Sequence, residues 1–213
     1  MSVPKGRNTR VEVAATYSTA KSVTAITKAS PGVVTSAAHG LTDGTIGYFS
    51  GVSGMVELED QAASVDGPVS STFNIEGLDT TNFGTFSGSC NFTPVATWLT
   101  LSNSTGYTIG GGNADEMDAT TLLDTSKKTE FGMNAADTVT IDGFSDSQLA
   151  GRAIVQAAAR AGTDVVFRFT LSNGERRVFR GQPSLPGEQM AVNQKATGSF
   201  NVAVKGQVMY LPA

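Results

Sequence analysis

Residues 145–182 read SDSQLAGRAIVQAAARAGTDVVFRFTLSNGERRVFRGQ, and this stretch decides the fold. Apolar residues recur at helical spacing in its first half, which predicts one amphipathic helix over residues 145–162. Ser145 or Asp146 can cap the helix N-terminus, because a side-chain oxygen there accepts an unpaired backbone N–H. Gly162 stands where a left-handed residue commonly ends a helix. The second half predicts a β-hairpin.

The helix should bury one side against a sheet. Apolar residues fall on that side and polar residues form the other. The apolar set is Leu149, Ala150, Ala153, Ile154, Ala157, Ala158 and Ala161, and the polar set is Gln148, Arg152, Gln156 and Arg160. Because alanine predominates in the apolar set, we expect the helix to lie close to the sheet.

The hairpin over residues 164–181 turns at Asn173-Gly174, a strong hairpin signal because both residues accept positive φ. A two-residue turn fixes the register, in which Val178 lies opposite Phe169 and Arg180 lies opposite Phe167. Phe179 then points to the other face of the hairpin. Both faces of the hairpin are then partly apolar near its middle. One sandwich core does not cover two faces, so the pattern indicates a second protein surface.

The rest of the chain is rich in glycine, serine and threonine and favours strands. Residues 1–21 give a basic N-terminal extension and a first alternating strand. Residues 22–90 hold short apolar runs between glycine turns, typical of a small β module; seven acids against one lysine give this module a net charge of −6. Residues 91–213 carry further strands. The predicted fold is mainly β: a β-sandwich or barrel with one flanking α-helix, and residues 22–90 as an inserted all-β module that faces outward.

Composition limits the functions open to this chain. Charged residues make up only 16% of it and the net charge is −4, so nucleic-acid binding is not expected as its main role. Sparse charge with 39% hydrophobic residues suggests that much of the surface meets other protein. No apolar run approaches the ~20 residues of a membrane span. The N-terminus lacks the apolar core of a signal peptide, so we expect the protein to be made and kept in a cytoplasm, or released by a route other than secretion.

Catalytic and metal-binding chemistry is not expected. Cys90 is the single cysteine and His39 the single histidine, so no internal disulfide or histidine-rich metal site can form. Gly110-Gly111-Gly112 lacks the lysine of a phosphate-binding loop, and the acids that follow lack the order of a calcium loop. We therefore predict no catalytic residue, no cofactor and no metal ligand.

Charge is distributed unevenly between two segments. Residues 145–182 hold six arginines against three acids, whereas residues 110–130 form an acidic loop with five acids against Lys127 and Lys128. One interpretation is that the arginines form a solvated face. The other is that they dock against an acidic surface of a second copy, such as the 110–130 loop.

The order of helix, glycine, strand, Leu171-Ser172-Asn173-Gly174 turn, Val178-Phe179-Arg180-Gly181 return and final strand 199–206 resembles the major tail-tube proteins of long, non-contractile-tailed phages. The resemblance covers about residues 92–206. It implies a β-sandwich flanked by one helix, which assembles as homohexameric rings that stack into a tube for DNA passage. The module at 22–90 is a departure, because the tube family does not require an insertion after its first strand.

The resemblance also implies partners and a location. The chain should bind itself within and between rings, with loop 110–130 reaching a neighbouring ring. The tape measure, tail terminator and tail tip would be further partners, and the phage virion its location. The predicted inter-subunit residues are Phe167, Phe169, Val178, Phe179, Arg180, Asp115, Glu116, Asp118, Lys127 and Lys128.

An alternative is a carbohydrate- or receptor-binding β-sandwich, for example a decoration or tail-tip protein. Such a protein should remain a small oligomer and present an exposed aromatic platform. Trp98, the single tryptophan, lies within an apolar strand pattern, which counts against a platform. An enzyme is the third possibility, and no triad, metal set or phosphate loop supports it.

Overall fold

The computed structural model describes residues 6–111, 114–146 and 148–213. Within these ranges the chain forms fifteen β-strands, one α-helix and a short 3-10 helix. The predicted mainly β fold with a single helix is therefore confirmed. Three predicted features fall partly outside the described residues, at 1–5, Gly112 and Ser147.

The elements fall into three groups along the chain. The larger body consists of β1 (Arg10–Tyr17), β8 (Cys90–Thr100), β9 (Ser104–Gly110), β12 (Thr138–Phe144), α1 (Ala150–Ala161), β13 (Val165–Thr170), β14 (Arg176–Pro183) and β15 (Thr197–Leu211). The segment predicted as a module holds the 3-10 helix (Val56–Leu58), β2 (Lys21–Val23), β3 (Ala25–Ile26), β4 (Val33–Thr35), β5 (Ile46–Ser50), β6 (Ala62–Asp66) and β7 (Thr72–Ile75). A separate two-stranded sheet contains β10 (Ala114–Asp118) and β11 (Thr129–Asn134).

The other thirteen strands form one antiparallel sheet in the order β3-β4-β7-β6-β5-β8-β1-β13-β14-β15-β12-β9, with β2 beside β8. This sheet is curled, because Tyr107 on β9 contacts Phe169 on β13, with 4.5 Å between ring centroids, although three strands separate them in the sheet order. The concave side encloses a core in which Phe167 stacks on Phe179 and Phe169 meets Phe179 edge to face. Strand β8 is long enough to pair with β1 at one end and with β5 at the other, and so joins the two halves of the sheet.

Helix α1 ends as the sequence predicts but begins later. Gly162 has φ 66° and ends the helix in the left-handed conformation, with its N–H bonded to the Ala158 carbonyl. The N-cap residue is Leu149 and makes no side-chain capping bond, so the prediction of a helix from residue 145 capped by Ser145 or Asp146 was wrong. Asp146 instead accepts a hydrogen bond from the Gln148 N–H in a turn before the helix.

The predicted helix face was also displaced. The fully buried positions are Gly151, Val155 and Ala158, while Ile154 is half-buried. The predicted inward residues Ala150, Ala153, Ala157 and Ala161 are exposed. Gly151 allows the close approach, because a Cβ there would lie 2.9 Å from Leu101 Cδ2.

The hairpin register differs by one residue from the prediction. Leu171 and Glu175 close the hairpin around a three-residue turn, in which Gly174 has φ 91°. Phe167 consequently faces Phe179, and Phe169 faces Arg177, rather than the predicted Arg180 and Val178. Because a one-residue shift moves every side chain to the other face, all three phenylalanines share the concave core.

Residues of the 22–90 segment cover the other face of the hairpin. Arg176 donates to both carboxylate oxygens of Glu76 at 2.9 Å. Gln61 exchanges two hydrogen bonds with the backbone of Gln207, at 2.8 and 3.0 Å. Val178 is completely buried on this face. The surface that covers the second face of the hairpin thus belongs to the chain itself, and the expectation of a second protein surface at this face was wrong.

Candidate functional site

The four apolar side chains predicted for an inter-subunit surface lie inside the protomer. Phe167, Phe169, Val178 and Phe179 have no exposed area. A second copy cannot touch these side chains while the protomer keeps this conformation. They stabilise the fold of the protomer.

Arg180, the fifth predicted residue of this group, connects the hairpin to the 22–90 segment. Its guanidinium pairs with Asp60 and lies 4.0 Å from the centroid of the Tyr48 ring. Asp164 is a second carboxylate partner at 3.7 Å. Tyr48 in turn packs edge to face on Tyr17, whose hydroxyl accepts the Val166 N–H. Burial is the main reason that the pKa of Tyr17 is raised.

Internal ion pairs occupy most of the arginines in residues 145–182. Besides Arg180, three of them have carboxylate partners: Arg168 with Glu12, Arg176 with Glu76 and Arg177 with Glu175. Arg168 also lies over the Trp98 ring, 4.4 Å from its centroid. Arg152 and Arg160 on helix α1 have no carboxylate partner among the described residues. Only these two cations of the segment are left for an acidic surface on another molecule.

Residues 114–134, which we call the arm, present an unusual amount of apolar surface. Strands β10 and β11 pair only with each other. Five large apolar side chains are more than half exposed on the arm: Met117, Leu122, Leu123, Phe131 and Met133. An isolated two-stranded hairpin is marginally stable in water, so this arm gains stability when another surface covers it.

The arm also carries the predicted charged residues. Asp115 and Glu116 are exposed and form no ion pair within the described chain. Asp118 accepts hydrogen bonds from Thr120, which lower its pKa. Lys128 pairs with Asp124, and Lys127 is exposed. The sequence therefore located a charged segment correctly on the surface, and its role at an interface remains a prediction.

A second surface lies on the convex side of β14, β15, β12 and β9. Its side chains are small and neutral, and Thr140 bonds across the strands to Asn201 at 2.8 Å. Asp142 bounds this surface at one end and Lys205 at the other. We call it the uncharged face; its members are Thr108, Thr138, Thr140, Gln182, Ser199, Asn201 and Ala203.

Strand β9 ends the sheet beside this face. Its outer edge has no strand partner among the described residues. The strand reads STGYTIG and contains neither a charged residue nor a proline. Proteins usually protect a free strand edge with such residues, because bare N–H and C=O groups pair with other chains. The β9 edge is thus open to strand pairing.

The single cysteine, Cys90, and the single histidine, His39, are both buried. Burial raises the pKa of the Cys90 thiol to about 11, which makes it a poor nucleophile. His39 Nδ1 accepts the Leu41 N–H at 3.0 Å, and its ring packs edge to face on Phe73. Within the described ranges, no three His, Cys, Asp or Glu side chains are grouped as metal ligands.

A family model described as "Phage tail tube protein, TTP" matches residues 53–212. The chain belongs to the phage tail tube protein family. The matched part of this tail tube protein contains the helix, the hairpin, the arm and the uncharged face. It begins inside the 22–90 segment, so the family pattern includes the later part of that segment. A comparison with curated proteins found no match.

Membership of this family gives the chain a structural role in the tail of the virion. In the described part of the tail tube protein, no helix is long and apolar enough to cross a membrane. The arm, the uncharged face and the open edge of β9 all lie within the residues that the family model matches.

The uncharged face and the open edge of this tail tube protein were not predicted from the sequence. A signal for the face was present, because Thr138 and Thr140 alternate with Val139 and Ile141 along β12. Ser199, Asn201 and Ala203 alternate with core residues in the same way on β15. Alternation indicates which residues share a face, but the partner strands that extend that face follow only from the topology.

Proposed function

We propose that this protein assembles as homohexameric rings that stack into the phage tail tube, through which DNA passes. The observation that carries the proposal is the arm, a two-stranded hairpin with five exposed large apolar side chains in a chain of the tail tube family. Such a surface is suited to burial against another protein. The open β9 edge offers a second, backbone-mediated contact, suited to neighbours within a ring.

The uncharged face is the best candidate for the lumen surface. DNA binds surfaces that present lysine and arginine, because each phosphate contact releases counterions. A wall of threonine, serine and asparagine offers no such contacts, so DNA can slide without being held. Asp142 adds a carboxylate at the rim of this face, which repels phosphate.

In this role the protein is structural rather than enzymatic and needs no cofactor. The tape measure, the tail terminator and the tail tip are its expected partners beside itself, and the host cytoplasm is the expected place of assembly. The carbohydrate- or receptor-binding alternative gains no support from Trp98. One face of that indole is occupied by Arg168, and the residue is only half-exposed.

Electron microscopy of the purified protein tests self-assembly. We expect rings or tubes in negative stain, either spontaneously or after addition of a tail-tip template. A protein that stays monomeric at high concentration and does not polymerise on a template would refute the proposal.

A charge substitution tests the lumen assignment separately. Thr140→Lys places a cation on the uncharged face, and Ala153→Lys places one on the exposed side of helix α1 as a matched control. We expect both variants to form tubes and only the Thr140→Lys virions to release DNA slowly. Equal release rates for the two variants would contradict the assignment of this face to the lumen.

A further inference from the structure

A groove opens at the end of the β9–β12 ribbon, beside the start of helix α1. Its lining is mostly apolar, formed by Leu101, Ile141, Phe144, Leu149, Pro186 and Phe200. Arg152 and Asp142 are the two charged residues among its lining. Phe144 at the mouth is 40% exposed. This groove is therefore an apolar recess with charged groups at its rim.

Two cations flank the groove. Arg152 donates to the Gly187 carbonyl at 3.3 Å, which holds the guanidinium beside the lining, and the arginine has no carboxylate partner among the described residues. The Lys195 ammonium lies 5.1 Å from the Phe144 ring centroid. Asp142 also lines the groove, so the segment that complements it is apolar and carries a single carboxylate placed at Arg152 and Lys195, away from Asp142.

The arm has that composition. Phe131 is 71% exposed and Met133 is 88% exposed, on the same face of β11. Glu116 lies directly across from Phe131 in the β10–β11 ladder, so a carboxylate accompanies the aromatic ring. Glu116 forms no ion pair within the described chain.

Arm and groove lie at opposite ends of the same two strands. Thr138 pairs with Gly110 at the end where the arm leaves, and Gly143 pairs with Ser104 at the end where the groove opens. Six residues of strand separate these ends, a distance of about 20 Å. Complementary surfaces at opposite ends of one subunit give a heterologous contact, which repeats from copy to copy and builds a filament or a stack.

We propose that the arm of one copy docks into this groove on the next copy along the tube. Phe131 and Met133 fill the apolar recess, and Glu116 pairs with Arg152. This inference rests on the proposed function and adds the receptor surface for the arm. The groove residues were not predicted from the sequence, because they come together only through the sheet order.

Charge reversal tests the pairing. Glu116→Arg and Arg152→Glu should each raise the concentration needed for polymerisation about tenfold or more, as expected when an attractive contact becomes repulsive. Arg160→Glu makes the same change on the same helix away from the groove and should polymerise as the wild type does. Glutamate at position 152 lies near the helix N-terminus, where a carboxylate is favourable, so this variant should fold.

Mixing the two variants gives the sharpest result. In a head-to-tail contact, the Glu116→Arg arm fits the Arg152→Glu groove, and the wild-type arm of the second protein fits the wild-type groove of the first. At a concentration above the wild-type threshold and below that of either variant, an equimolar mixture should therefore form tubes by sedimentation and negative stain, although neither protein does so alone. Single variants that polymerise normally, or a mixture that stays unassembled, would overturn the pairing.

Cross-linking locates the contact directly. Phe131→Cys combined with Leu149→Cys should give a disulfide ladder on non-reducing gels of oxidised tubes, and Leu122→Cys combined with Leu149→Cys should not. The native Cys90 is buried and should not contribute. Tubes without the ladder would overturn the inference but leave the proposed function intact. A wild-type protein that forms no tube under any condition would overturn both.

Discussion

Phe179→Ala and Phe131→Ala make the same chemical change at positions with opposite surroundings. Phe179 has no exposed area and contacts the rings of Phe167 and Phe169, whereas Phe131 is 71% exposed on the arm. Removing a buried phenylalanine costs about 3–5 kcal/mol, because apolar contacts are lost and a cavity remains. We expect Phe131→Ala to change the free energy of unfolding by less than about 0.5 kcal/mol.

Urea denaturation of the dilute, unassembled protein, followed by circular dichroism, measures this difference. At a slope of about 2 kcal/mol/M, the loss of Phe179 should lower the midpoint by about 1.5–2.5 M. Assembly should show the opposite sensitivity, because Phe131→Ala removes an exposed contact and should abolish tubes without lowering the midpoint. A Phe179→Ala protein with wild-type stability would refute the placement of this ring in the protomer core. Loss of stability in Phe131→Ala would show that the arm packs on its own protomer.

Three further predictions follow from burial, internal pairing and titration. Val155→Asp should destabilise the protein by several kcal/mol because it buries an unpaired charge, whereas Ala157→Asp on the exposed side should change thermal stability little. Deletion of residues 22–90 should prevent the remainder from folding, since it uncovers Val178 and removes Glu76 from Arg176; a soluble, cooperatively melting product would instead support an independent module. The pKa of Cys90 is raised from 9.0 to about 11 in the folded state, so its contribution to stability is present below pH 9 and is lost as the pH rises through 11. Denaturation midpoints should therefore fall less steeply between pH 9 and 11 in Cys90→Ala, and an unchanged slope would contradict this assignment.

Local signals in the sequence predicted the elements better than their relation to one another. Gly162 ends the helix as expected, because a left-handed residue is a requirement of the backbone at that point. Asn173-Gly174 marks the hairpin turn but does not determine its length, and Leu171 with Glu175 closes a three-residue turn. The register of every pair in the hairpin depends on that single residue.

The helix face was displaced for a different reason. Alanine fits either a buried or an exposed position, so a stripe of alanines does not identify the buried side. Packing is decided by Gly151, which permits contact with Leu101, and by Val155, which is completely buried. Those contacts involve strands distant in the sequence and cannot be read from helical spacing alone.

The net charge of the 22–90 segment also has a local explanation that the sequence did not reveal. Glu59 accepts the Gly51 and Val52 N–H groups, at 3.0 and 2.6 Å. Glu57 accepts the Gly84 N–H and Asp43 the Gly67 N–H. These carboxylates satisfy backbone donors in turns, which lack partners in a sheet. An excess of acids is thus consistent with a segment of many turns and does not by itself indicate a ligand.

Internal pairing changes the meaning of the charge pattern in residues 145–182. Four arginines are neutralised by carboxylates of the same chain, and two of those partners, Asp60 and Glu76, come from the 22–90 segment. The predicted attraction between a basic segment and an acidic loop is thereby reduced to a few charges. Two arginines of this segment have no carboxylate partner among the described residues: Arg152, which lines the apolar groove, and Arg160, which lies outside it. Docking of the arm as proposed would thus depend on one charge pair beside the apolar lining of the groove.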